Sequence, residues 1–174
     1  AVIREEVKMY RELGAEGVVI GILKPDGTLN MEQMEGLMEE AKDMSVTLHR
    51  AFDVCADPFA ALEDAVKLGI DTILTSGQRN NCLEGAELLR ELEKRSAGRI
   101  CIQAGGGVSA EVIERLAPAA GIRAWHMSGK VTLDSEMRYR KEGVNMGLPS
   151  LSEYEIYRTS AEKVRAARDV LERI

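Results

Sequence analysis

Five short apolar, β-branched runs recur along this chain at a spacing of about 20 to 30 residues, with amphipathic stretches between them. The runs are Gly17–Gly21, Val46–Phe52, Thr72–Thr75, Arg99–Ala104 and Arg123–Ser128. Antiparallel neighbours can be joined by a two-residue turn, whereas parallel neighbours need a crossover of a dozen residues or more. The spacing therefore predicts parallel βαβ units, an α/β protein. The intervening helices carry their own boundary signals. Val2–Leu13 ends at Gly14, Asn30 caps a helix with Met31, Met34, Leu37, Met38 and Ala41 at helical spacing, and Asp57-Pro58 opens the one that closes at Gly69. A helix from about Leu83 to Arg95, another capped by Ser109, and a last one over Ala161–Ile174 complete the series. A polar loop of about 25 residues is expected before the last helix. No linker interrupts the pattern, so residues 1–174 read as one domain.

Two sheet types use such units. A doubly wound sheet accommodates five strands, whereas a (β/α)8 barrel needs eight strands and typically about 250 residues. Alternation decides between them. In Val46–Phe52, extended by Asp53, it sets Thr47, His49, Ala51 and Asp53 on one face and Val46, Leu48, Arg50 and Phe52 on the other. The same parity turns Thr75, Cys101, Gln103, His126 and Ser128 inward. A flat sheet covered by helices on both faces should not bury so many polar groups, but a lumen holds them. The expected fold is thus a (β/α)8 TIM-barrel type reduced to about its last five strands and their helices. Two strands of such an arc keep open edges, so a homo-oligomer, most simply a dimer, or a complementing N-terminal segment is expected.

Composition narrows the partners. A net charge of -6 leaves no basic surface for nucleic acid. No apolar run has the length needed to span a membrane. Cys55, Cys82 and Cys101 are odd in number and lack paired spacing, which fits reduced thiols and a cytoplasmic protein.

Candidate chemistry collects at the ends of the strands, where α/β proteins hold their ligands. His49, Asp53 and His126 are the candidate acid/base groups. Gly105-Gly106-Gly107 precedes a helix capped by Ser109, and an anion cradle and a plain tight turn both fit it. Ser128-Gly129 and Thr75-Ser76-Gly77 end neighbouring strands and extend the candidate anion site. Two imidazoles and a thiol also suit a soft metal, though sequence spacing does not bring them together.

Several of these stretches resemble the CutC family of copper homeostasis proteins. They are Thr47-Leu48-His49-Arg50-Ala51-Phe52-Asp53, Leu74-Thr75-Ser76-Gly77 with Leu83-Glu84-Gly85, Gly105-Gly106-Gly107-Val108 and His126-Met127-Ser128. Gly17–Gly21 with Asp26-Gly27, Met137–Arg140 and Val144-Asn145-Met146-Gly147 are similar to the same family. The resemblance implies a (β/α)8 barrel, a cytoplasmic place of action, and copper, as Cu(I), as cargo to be bound, stored or tolerated. It also implies that this chain starts within the third helix of the family's barrel. The family's copper-associated cysteines lie upstream of that point, and Cys55, Cys82 and Cys101 do not match them, so the metal ligands stay unknown. Gln103-Ala104 stands where the family usually has Met-Pro. Two functions remain open, a Cu(I)-handling protein and a barrel enzyme acting on a small anionic or phosphorylated substrate.

Overall fold

The structure, a computed structural model, describes residues 2–144, 146–147 and 152–174. Ala1 and Asn145, the latter part of the family-like tail, lie outside the described residues. Strands β1 (Gly17–Ile20), β2 (Ser45–Leu48), β3 (Thr72–Thr75), β4 (Cys101–Gly105) and β5 (Ala124–His126) form one parallel sheet in the order β1-β2-β3-β4-β5. A doubly wound sheet would reverse its order partway. Strictly sequential order, with every crossover on the same side, is the arc of a (β/α)8 barrel. The arc is not closed.

Six helices alternate with the strands: α1 (Val2–Glu12), α2 (Met31–Glu40), α3 (Pro58–Leu68), α4 (Ala86–Ser96), α5 (Ala110–Ala120) and α6 (Ala161–Leu171). Their starts follow the sequence signals. The Asn30 side chain accepts from the Gln33 amide, Asp57 from Phe59 and Ala60, and Ser109 from Val112. Gly69 and Gly121 end α3 and α5 in the left-handed conformation.

The core lies between the helices and one face of the sheet. Ile20, Val46, Leu48, Ile73, Ile102 and Ala104 are buried there against Met34, Leu37, Leu62, Leu89 and Leu92. Each large apolar side chain so buried contributes about 1.5–3 kcal/mol relative to exposure. The opposite face carries Val19, Thr47, Leu74, Gln103, Gly105 and His126, and Val19 there is 61% exposed.

Three expectations are corrected here. The second strand stops at Leu48, and a 3-10 turn over Arg50–Val54 follows instead of continued strand. The cause is local, because the His49 imidazole accepts the Ala51 amide at 3.1 Å and bends the chain out of the ladder. Alternation therefore says nothing about Arg50 or Asp53. Second, Thr75 does not face the lumen. It pairs with Ala104 while Leu74 pairs with Gln103, and Thr75 is fully buried on the helix side. Third, the expected polar loop contains β6 (Lys130–Asp134) and β7 (Glu155–Thr159), an antiparallel ribbon with exposed faces. Its outward position leaves little burial periodicity to read.

Candidate functional site

The turn that ends β2 brings Asp53 back across the C-terminal end of β3. Its carboxylate accepts from the Thr75 hydroxyl at 2.5 Å, the Ser76 amide at 3.0 Å, the Gln78 amide at 3.1 Å and Arg50 Nε at 2.6 Å. The Ser76 hydroxyl stands 3.0 Å from it and 2.5 Å from the Arg79 carbonyl, so its single proton serves one of the two. Burial alone would raise the Asp53 pKa, but the bonds from Thr75, Arg50, Ser76 and Gln78 together hold it below the usual carboxylate value. A carboxylate with its acceptor sites filled by fixed donors is a structural anion, and it leaves little basicity for proton transfer.

Arg50 lies over this lattice. Its Nη2 donates to Ser76 Oγ at 2.7 Å, and its side chain remains 45% exposed while that of Asp53 is 8% exposed. Gly77 threads beneath at φ +72°, so close to Gly85 that a Cβ on Gly77 would run into the Gly85 carbonyl oxygen. This backbone contact seats the loop from 76 to 85, and Asn81 braces it by accepting the Glu84 amide. Sequence reasoning put Arg50 on the buried face; its signal was adjacency to His49 and Asp53.

His49 follows β2 with its ring against Gly21, where a Cβ would stand 2.8 Å from Nδ1, and His126 ends β5 on the lumenal face, opposite Gly105 in the register. They sit three strand positions apart, about 14 Å measured along the sheet. Because His49 Nδ1 accepts the Ala51 amide, the neutral ring carries its proton on Nε2, which is a donor. A metal-bound histidine has the reverse polarity, with one nitrogen on the metal and the other donating.

The remaining candidates form a second group. Gly107, Ser109, Ser128, Gly129, Lys130 and Lys163 line a cleft of about 500 Å³ at the start of α5. Lys163 Nζ donates to the Lys130 carbonyl at 2.8 Å, and the Lys130 ammonium stands 4.6 Å from the centre of the Tyr157 ring. Ser128 lies past the end of β5, where its hydroxyl accepts the Lys130 amide at 3.5 Å. Gly105 and Gly106 join the two groups, since a Cβ on Gly105 would stand 3.6 Å from His126 Cβ and one on Gly106 3.3 Å from Ser76 Cβ. Thr75, Ser76 and Gly77 thus gather with Asp53, whereas Gly107, Ser128 and Gly129 gather across the glycine run.

Among the described residues no three His, Cys, Asp or Glu side chains cluster. Cys55 and Cys82 are buried, and that burial pushes both thiols up from their ordinary value, away from the thiolate that Cu(I) prefers. Among the described residues no helix is long and apolar enough to cross a membrane.

The sequence profile of the CutC family matches residues 1–131, ending within β6. A family protein CutC from Parabacteroides distasonis is 44% identical over 162 residues, covering 92% of this chain and 67% of the relative. Another from Bacteroides fragilis is 44% identical over 162 residues, covering 92% and 64%. The chain spans about two thirds of the length of these curated relatives. Among solved structures, a Streptococcus agalactiae protein assigned as copper homeostasis protein CutC aligns with a TM-score of 0.68 at 28% identity, over 72% of this chain and 61% of that one. A native KDPGal structure aligns with a TM-score of 0.55 at 17% identity, over 97% and 66%, a likeness of fold alone.

Proposed function

This chain belongs to the CutC family, and on that premise we propose that it serves copper homeostasis in the cytoplasm by holding a small anionic or phosphorylated ligand at the C-terminal ends of its strands. The copper connection rests on the family and on the name carried by the streptococcal relative. The oxyanion ligand rests on the site's chemistry, and one observation carries it: His49 accepts the Ala51 amide through Nδ1, so it offers a ligand a donor and no lone pair. The start of α5, Gly107, Ser128-Gly129 and Lys163 add donors and positive potential of the kind a phosphoryl group requires. His126 is the candidate proton carrier, and Asp53 fits that role poorly because its acceptor sites are filled.

Copper bound as Cu(I) is the second reading. It is supported by the family alone, and the thiols and imidazoles described above do not suit it. Titrations of the isotope-labelled chain with inorganic phosphate and with Cu(I) separate the two. Phosphate should shift the amide signals of Gly107, Ser128 and Gly129; if only Cu(I) does so, the oxyanion reading is wrong.

The arrangement is proposed to act as one domain whose two open edges, β1 and β5, are covered in a dimer or by a segment that completes the barrel.

A further inference from the structure

Arg50 is not among the candidate site residues that the sequence points to, yet its guanidinium lies against the glycine run, 3.5 Å from where a Cβ on Gly106 would stand. Its guanidinium carries five N–H groups in a rigid fork. Nε is spent on Asp53 and one N–H of Nη2 on Ser76 Oγ. Five less two leaves three, both on Nη1 and the second on Nη2, and these find no acceptor among the described residues.

The fork is also held still. Asp53 grips it from below with a carboxylate that the Thr75 hydroxyl and the Ser76 and Gln78 amides keep from turning. Arg50 thereby reaches from the end of β2 across β3 to β4. A Cβ on Gly106 would stand in ordinary contact with the fork, 3.5 Å from Nη1 and 3.7 Å from Cζ, so glycine here leaves that edge uncovered. The Gly106 φ of +86° independently favours glycine there. An arginine kept only to neutralise Asp53 would need neither an open outer edge nor so many other donors on its partner.

We infer that Arg50 is the ligand-holding cation of this face, binding a carboxylate or phosphoryl group of the ligand through Nη1 and Nη2, with Asp53 as the residue that positions it. The inference rests on the oxyanion reading above and gives it a specific anchor. Two oxygens of one group match the parallel N–H bonds of the fork. Lysine, a point charge, keeps the sign but loses the geometry.

The test uses the full chain, labelled for detection of arginine side-chain N–H signals, and titrates inorganic phosphate and acetate separately. The two arms distinguish a phosphoryl from a carboxylate preference. The expected result is a saturable shift of the Arg50 Nη signals. Binding should weaken about tenfold or more in Arg50→Lys and be abolished in Arg50→Met. Because Arg50→Met leaves Asp53 without its cation and risks misfolding, Arg50→Lys and the wild-type signals carry the conclusion if it does. Shifts at Gly107, Ser128 and Gly129 with unmoved Arg50 signals and unchanged affinity in Arg50→Lys would overturn this inference and leave the oxyanion reading standing. If neither group of signals moves with either anion, both are wrong.

Discussion

Thr75 Oγ donates to Asp53 Oδ1 at 2.5 Å, tying the last residue of β3 to the turn that follows β2. The same hydroxyl accepts the Gly77 amide at 2.9 Å, so one side chain fixes the carboxylate and starts the loop that carries Ser76 to Gln78. The clamp sits at the level of the sheet where a barrel-type protein holds its ligand.

Thr75→Val keeps the shape but removes that hydroxyl from a fully buried site. A hydrogen bond to a charged group contributes about 1.5–3 kcal/mol. The variant should lose about 2–3 kcal/mol of stability, with the Gly77 amide also left unpaired. Urea denaturation with an unchanged slope measures it, and a loss below about 0.5 kcal/mol would mean the clamp is slack.

Acid should act through the same pair. The bonds to Asp53 outweigh its burial and hold its carboxyl below the usual carboxylate value in the folded chain, so its stabilisation is complete above the unfolded value and is lost as pH falls through the lower folded value. Removing the Thr75 hydroxyl moves the folded pKa upward. The acid unfolding midpoint of Thr75→Val should therefore lie at higher pH than that of the wild type, followed by circular dichroism.

Gly85→Ala tests the loop seat. A Cβ there would run into the Ser76 carbonyl oxygen and stand 2.8 Å from Gly77 Cα, both backbone atoms with no freedom to yield. The expected cost is more than about 4 kcal/mol, read as a collapse of the melting temperature. Gly85 lies at φ -87°, which alanine adopts without strain, so the whole of that cost is steric.

Cu(I) affinity should be weak. Burial raises the pKa of Cys55, Cys82 and Cys101 alike, which disfavours thiolate. Competition against a Cu(I) chelator should leave nearly all metal with the chelator. Tight stoichiometric binding that survives Cys→Ser at all three positions would refute this account.

The edges predict association. Light scattering at low concentration should give twice the chain mass, because β1 and β5 present unpaired backbone and Val19 an exposed apolar side chain. A stable lone chain would show that the edges need no cover.

What the sequence alone determined is the repeat itself. Strand-forming runs, the caps at Asn30, Asp57 and Ser109, and the glycine stop at 69 all depend on residues within one or two turns of each other. Their spacing sufficed to imply parallel crossovers, and the polar residues at alternating strand positions pointed to a barrel-type arc. The site was legible only in outline. Strand alternation holds while a ladder holds, and the ladder ends at Leu48, so the facing of Arg50 and Asp53 was decided by the turn that His49 and Ala51 make. Thr75 faces the helices because its register places it beside Ala104, a fact of pairing that the short run from Thr72 to Thr75 does not encode. The saturation of Asp53 by donors from residues 22 to 25 positions away, and the guanidinium it holds over Gly106, exist only once β2, β3 and β4 lie side by side.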